Sequence, residues 1–154
     1  MTQIVKDILI TGPVEHVYDL VTTAKYWPQW HPATEGVSGA IAQPMKLGDK
    51  IIERARIGGR VGEGEWTVIT HRRPHRVVLQ LPATAFGDLE IAYDFESQGE
   101  QVRFTRTLQF DLSNLPPQLD RAAIERQMDS DSEQALAKLK ALVEGITEST
   151  NTHK

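Results

Sequence analysis

The run Val102-Arg103-Phe104-Thr105-Arg106-Thr107-Leu108-Gln109-Phe110 alternates as a strand with one dry and one wet face must, and it sets one cation out of place. Val102, Phe104, Leu108 and Phe110 share the dry face, and Arg106 is on it with them. Removing a guanidinium from water is costly unless something pairs with it. Arg106 therefore has a fixed acidic partner, snorkels to a rim, or faces a cavity that holds water or ligand. In a cavity its chemistry is bidentate recognition of a carboxylate, phosphate or enolate oxygen.

Two further groups join it. In the run from Asp88 to Glu96, Leu89, Ile91, Tyr93 and Phe95 point one way, and Asp88, Glu90, Asp94 and Glu96 the other. Tyr93 is thus an inward hydroxyl in need of a partner, either as core or as a proton donor. Around Gly58-Gly59, a hairpin turn at 58–60 places Arg54 and Arg56 on one face with Glu63 and Glu65, a solvent-facing ion ladder. The opposite face holds Ile51, Ala55, Ile57, Gly62, Gly64, Trp66 and Val68, with the carboxylate of Glu53 among them. A desolvated carboxylate with a raised pKa serves as a general acid or base, whereas one hydrated at a cavity mouth has no such role. Arg106, Glu53 and Tyr93 are the candidate catalytic groups.

Trp30-His31-Pro32 closes an aromatic segment that begins at Lys25. It is either a packed clamp between helix and sheet or a cavity lip that stacks on ligand, with His31 titrating near neutrality. The ligand-contacting set expected from the sequence is Trp30, His31, Trp66, Tyr93, Phe104, Arg106 and Met128, the last for its adaptable side chain. Gly62, Gly64 and Gly87 either curve the strands or make room for a ligand. His71 and His75 flank Arg72-Arg73-Pro74 in an exposed turn, and Gly62-Glu63-Gly64 is no phosphate loop, because no helix N-terminus follows it.

These groups need a frame. Gln3 to Thr11 reads as a strand, Gly12-Pro13 breaks it, and Val14 to about Thr23 forms a short amphipathic helix. A bend or helical turn follows over 25–32. Strands at about 34–42, 47–57, 61–72, 76–82, 87–97 and 101–111 form a meander of antiparallel hairpins. Past Ser113-Asn114-Leu115-Pro116-Pro117, Ile124, Met128, Ala135, Leu139, Leu142 and Ile146 recur at helical spacing. They mark one long helix, capped by Ser113 or Asn114, weakened at 129–132 and ending near Gly145. The expected layout is a single α+β domain over 1–146 with a flexible polar tail over 147–154. A seven-stranded curved antiparallel sheet grips the long C-terminal helix, and two short helices follow the first strand.

Composition narrows the function. With 40% hydrophobic and 25% charged residues and a formal charge of −4, the chain is globular and offers no basic patch for nucleic acid. The absence of cysteine removes disulfide and thiol chemistry, and the histidines do not fall at metal-ligand spacing, so no metal and no cofactor are expected. No export signal and no membrane span are read in the chain, which makes the cytoplasm the expected location.

The stretches Ile10–Pro32, Leu47–Glu53 and Val61–Gln80, with the long final helix, resemble the START-like, helix-grip superfamily (Bet v 1-like, SRPBCC), polyketide cyclase/dehydrase type, over about residues 3–145. The resemblance implies an apolar pocket under the long helix and carries over no catalytic motif. The expected function is binding of a small hydrophobic ligand (lipid, aromatic or polyketide-like) between sheet and helix, its mouth near Trp30-His31-Pro32. The alternatives are a cofactor-independent cyclase, aromatase or dehydratase, and a protein–protein interaction module. The sequence carries no signal for oligomeric state.

Overall fold

The computed structural model describes the backbone of residues 1–152 and the side chains as far as Gly145. Its elements are β1 (Thr2–Thr11), α1 (Val14–Thr22), a 3₁₀ turn (Ala24–Tyr26), α2 (Trp27–Trp30), β2 (Thr34–Gly39), β3 (Lys50–Ile57), β4 (Arg60–Arg72), β5 (Arg76–Thr84), β6 (Gly87–Gln98), β7 (Gln101–Phe110) and α3 (Arg121–Thr152). The strands form one antiparallel sheet in the order β1-β7-β6-β5-β4-β3-β2, curled into a half-barrel around α3, which is the helix-grip fold. Its first two strands lie at opposite edges.

The alternation read from the sequence sets the register. Phe95 faces Phe104, Tyr93 faces Arg106 and Ile91 faces Leu108 across β6 and β7, all on the concave side. Asp94 points outward and accepts a hydrogen bond from Arg76 at 2.6 Å. On β3 and β4, Arg54 pairs with Glu63 in register, but Arg54 and Arg56 both reach Glu35 of β2, and Glu65 meets Lys50. The expected ladder thus runs across three strands instead of two. These are exposed pairs of small energetic weight.

Four expectations need correction. β2 stops at Gly39 instead of running to 42, because the chain turns there with φ +92 and a Cβ on Gly39 would sit 2.7 Å from the Lys50 carbonyl. The loop beyond it drops Met45 into the core, its N–H bonded to the Thr22 carbonyl at 3.0 Å. The long helix starts at Arg121, and neither Ser113 nor Asn114 caps it. Pro116 and Pro117 lie in the preceding loop, while the Asp120 carboxylate accepts the Ala123 N–H at 3.1 Å. The helix then runs unbroken through Asp129–Ser132 and past Gly145. Finally, His71 lies within β4 and packs edge-on to Tyr18 instead of standing in a turn; His75 is exposed as expected. The tail expected over 147–154 lies outside the residues whose side chains are described.

The stripe on α3 is buried at Ile124, Met128, Ala135, Leu136, Leu139 and Val143. Two polar ties fix its position. Lys140 donates to the Leu9 carbonyl at 2.8 Å and the Thr11 N–H donates to Glu144 at 2.9 Å, which binds the helix to β1. At the other side of the sheet, Gln127 accepts the Gly58 N–H at 2.8 Å and donates to the Arg56 carbonyl at 3.0 Å, which ties the tip of the β3–β4 hairpin to the helix.

Candidate functional site

The half-barrel is longer than its filling. One end is packed: Tyr18 of α1 stacks edge-on against Phe95 at 4.9 Å, and Trp30 of α2 packs against Phe104 at 6.2 Å, both pairs of rings steeply inclined to each other. At the other end the sheet and α3 diverge over a cavity of about 660 Å³. That is the size of a pocket for a small organic ligand. Its walls are apolar, with Leu79, Leu81, Leu89, Ile91 and Leu108 on the sheet and Met128 and Ala135 on the helix. The exposed lining residues are Arg60, Val61, Gly62, Glu63, Pro82, Ala83 and Ala85.

The mouth therefore lies at the tips of the β3–β4 and β5–β6 hairpins, and the expectation of a mouth at Trp30-His31-Pro32 is corrected. Trp30 is fully buried and His31 nearly so, because α2 drives both rings into the sheet. Trp30 and Phe104 belong to the dry core behind the cavity and do not line it, whereas His31, Trp66, Tyr93, Arg106 and Met128 do, together with Glu53.

The polar groups gather where core and cavity meet. The Tyr93 hydroxyl and His31 Nε2 share a hydrogen bond of 2.9 Å. Arg106 is Tyr93's direct cross-strand neighbour, and its Nη1 donates to the Ser132 hydroxyl on α3 at 2.6 Å. Its Nε is buried with no hydrogen-bond partner, and among the described residues no carboxylate forms an ion pair with it. Glu53 is held otherwise. It accepts the Trp66 indole N–H at 3.0 Å on one oxygen and the Thr34 hydroxyl on the other. Glu53 and Arg106 stand on β3 and β7 with three strands between them, so the two charges face one cavity without neutralising each other.

Burial sets the protonation of this floor. Desolvation, with the Arg106 charge adding to it, drives the His31 pKa well below its usual value, so the imidazole is neutral at neutral pH. The expectation that His31 titrates near neutrality fails for that reason. Burial also pushes the Tyr93 phenol up to about 12, with Arg106 pulling the other way and Glu53 adding to the rise, so the hydroxyl keeps its proton. A neutral imidazole, a protonated phenol, a guanidinium and a carboxylate can together orient an oxygen-bearing group and exchange protons with it.

Two members of this floor escaped the sequence reading. Ser132 is 1% exposed and occupies a stripe position between Met128 and Ala135, where a hydroxyl in place of an apolar side chain was the available signal. Thr34 is buried at the start of a short strand and gave none, since threonine is an ordinary strand residue. Among the described residues, no three His, Asp or Glu side chains cluster closely enough to hold a metal, and no helix is long and apolar enough to cross a membrane.

Residues 1–144 match the family model described as polyketide cyclase/dehydrase and lipid transport. A curated relative, penitrem biosynthesis cluster 1 protein I from Penicillium ochrochloron, is 28% identical over 109 residues, 66% of this chain and 71% of that protein. Among solved structures, a START superfamily protein from Mycobacterium smegmatis superposes with TM-score 0.75 at 15% identity, covering 94% of this chain and 98% of the other. An aromatase/cyclase from Streptomyces sp. R1128 gives 0.75 at 13% identity, covering 93% of each chain. At these identities the likeness is one of fold.

Proposed function

The chain belongs to the polyketide cyclase/dehydrase and lipid transport family, and from that premise we propose that it binds a small, largely apolar molecule in the cavity, with a carbonyl, carboxylate or hydroxyl end held by Arg106 and Tyr93. The observation that carries this reading is Arg106 itself, a cation on the cavity wall with a serine for its fixed partner and no carboxylate. A structural arginine at such a place would have an acidic partner. The domain acts over 1–146 in the cytoplasm, without cofactor, in the same proposal.

The test is binding of an aromatic and lipid panel, read by Trp66 fluorescence and native mass spectrometry, in wild type and Arg106→Met. The substitution should weaken binding by about 1.5–3 kcal/mol, the scale of a charge-assisted hydrogen bond, and leave the fold intact. Equal affinity in both proteins would sink the assignment of Arg106.

A second reading is favoured by one observation, the Tyr93–His31 hydrogen bond inside the same cavity. In a cyclase or dehydratase, the neutral imidazole and the phenol would move protons at carbons beside carbonyls while Arg106 holds the developing enolate oxygen. Turnover of a β-polyketone that disappears in Tyr93→Phe with binding retained would promote this reading over the first. The alternative of a protein–protein module draws on no feature of the cavity.

A further inference from the structure

The glycines on the inner face of β4 differ in what their missing side chains leave behind. A Cβ on Gly64 would fall 2.5 Å from Leu81, so that glycine is explained by packing. Gly62 is exposed where the cavity opens, a Cβ there would meet nothing within 4 Å, and its φ lies outside the left-handed region that calls for glycine. Glycine weakens a strand interior, so its presence at 62 needs another reason. Its direct partner across β3–β4 is Ala55, the next smallest residue, and both line the cavity. The adjacent rung on the same face is Glu53–Gly64, where Leu81 of β5 fills the space beside the glycine, and the rung beyond carries the bulky Ile57 on β3. The wall is therefore thinned at one cross-strand pair, in the mouth and separated from the Arg106–Tyr93 floor by strand β5.

We propose that Gly62 and Ala55 are specificity-determining residues, over which the outer end of the ligand's apolar body lies, and that they set the length of body the cavity accepts. This inference rests on the binding reading above. It divides the two demands on the ligand between two places: Arg106 selects the polar head, and the Gly62–Ala55 pair selects the reach of the apolar body behind it. The occupant is a chain or fused-ring body with one oxygen-bearing end, inserted head first.

The experiment is a length series, the straight-chain alkanoates from octanoate to palmitate, displacing anilinonaphthalene sulfonate from wild type, Gly62→Leu, Ala55→Leu and Arg106→Met. In wild type, affinity should climb about fourfold per methylene until the cavity is filled, then level off. Gly62→Leu and Ala55→Leu should level off at a shorter chain with octanoate unaffected, and Arg106→Met should weaken every member without moving the plateau. Gly62→Val is the smaller probe if either leucine variant fails to fold in a thermal melt. An unmoved plateau in the position-62 and position-55 variants, or equal weakening of octanoate and palmitate, overturns this inference alone. Failure of wild type to bind the fluorophore or any alkanoate overturns the binding reading and this inference with it.

Discussion

Along β6 and β7 the inner face changes character at one rung. On one side of the Tyr93–Arg106 pair, Phe95 and Phe104 are packed by Tyr18 and Trp30; on the other, Ile91, Leu89 and Leu108 stand over open space. The strands and their alternation are the same on both sides. The difference lies in the elements that cover them: aromatic side chains of α1 and α2 at the dry end, and at the open end chiefly α3, with Ser132, Ala135 and Met128, joined by Leu119 of the loop before it. A curved sheet thus acquires a cavity where the covering elements run short of volume, and the polar groups collect at the boundary, where they are screened from bulk water yet still reach an occupant.

Substitutions can break or sharpen this contrast. Phe104→Ala, in the dry end, should lose about 3–5 kcal/mol in chemical denaturation, whereas Leu81→Ala on the cavity wall should lose only about 1–2 kcal/mol, since that side chain is partly exposed and borders open space on its cavity side. Comparable losses would mean that the two ends are packed alike. At the boundary, Tyr93→Phe leaves His31 Nε2 buried without its hydrogen bond and should lose about 1–3 kcal/mol, read the same way. A neutral result would place that contact outside the stability of the fold.

The pH dependence stems from His31. Its pKa is lower folded than unfolded, so between the two values the unfolded chain binds the extra proton, and stability rises with pH. The contribution is fully present above the ordinary histidine value of about 6.5 and falls by up to about 1.4 kcal/mol per pH unit as pH drops below it, until the folded pKa is passed. Glu35, Asp111 and Glu144, whose pKa values are lowered by hydrogen bonds with Arg56, Ser113 and Lys140 respectively, lose their contributions in a more acidic window. Melts from pH 7 to about 5 should therefore show a decline that His31→Gln removes; an identical decline in the variant would refute the assignment. The smallest effect is expected of Gly62→Ala, a gain of about 0.4–1 kcal/mol, because the backbone there suits any residue and the added methyl meets no atom. A loss of stability would show that the space beside Gly62 is already spoken for.

Strict alternation made the sheet legible. Asp88 to Glu96 and Val102 to Phe110 revealed their faces because a period of two admits one register once a single face is buried. Arg106 stood out for the same reason, as an error in an otherwise regular pattern. The mouth was misread because aromatic composition at Trp30-His31-Pro32 is the same for a lip and for a plug, and only the docking of α2 separates them. Ser132 was hidden behind its poor helix propensity, and the start of α3 behind two prolines that end a loop instead of opening a helix. Whether Glu53 meets Arg106 depends on how far the sheet curls, a property of all seven strands that no single run of residues encodes.

The sheet order also dictates a sequence of events. β1 has one strand neighbour, β7, and Thr2 pairs with Phe110, more than a hundred residues downstream. Pairings of such separation are slow to nucleate, while each hairpin from β2 to β7 closes locally. The first strand made is thus the last to be paired, and until residue 110 is available its apolar face, with Ile8 and Ile10, has no strand to lie beside. A chain emerging from synthesis passes through a stage in which the meander is formed and its leading strand is still unclaimed, which makes β1 the segment most in need of protection from intermolecular pairing.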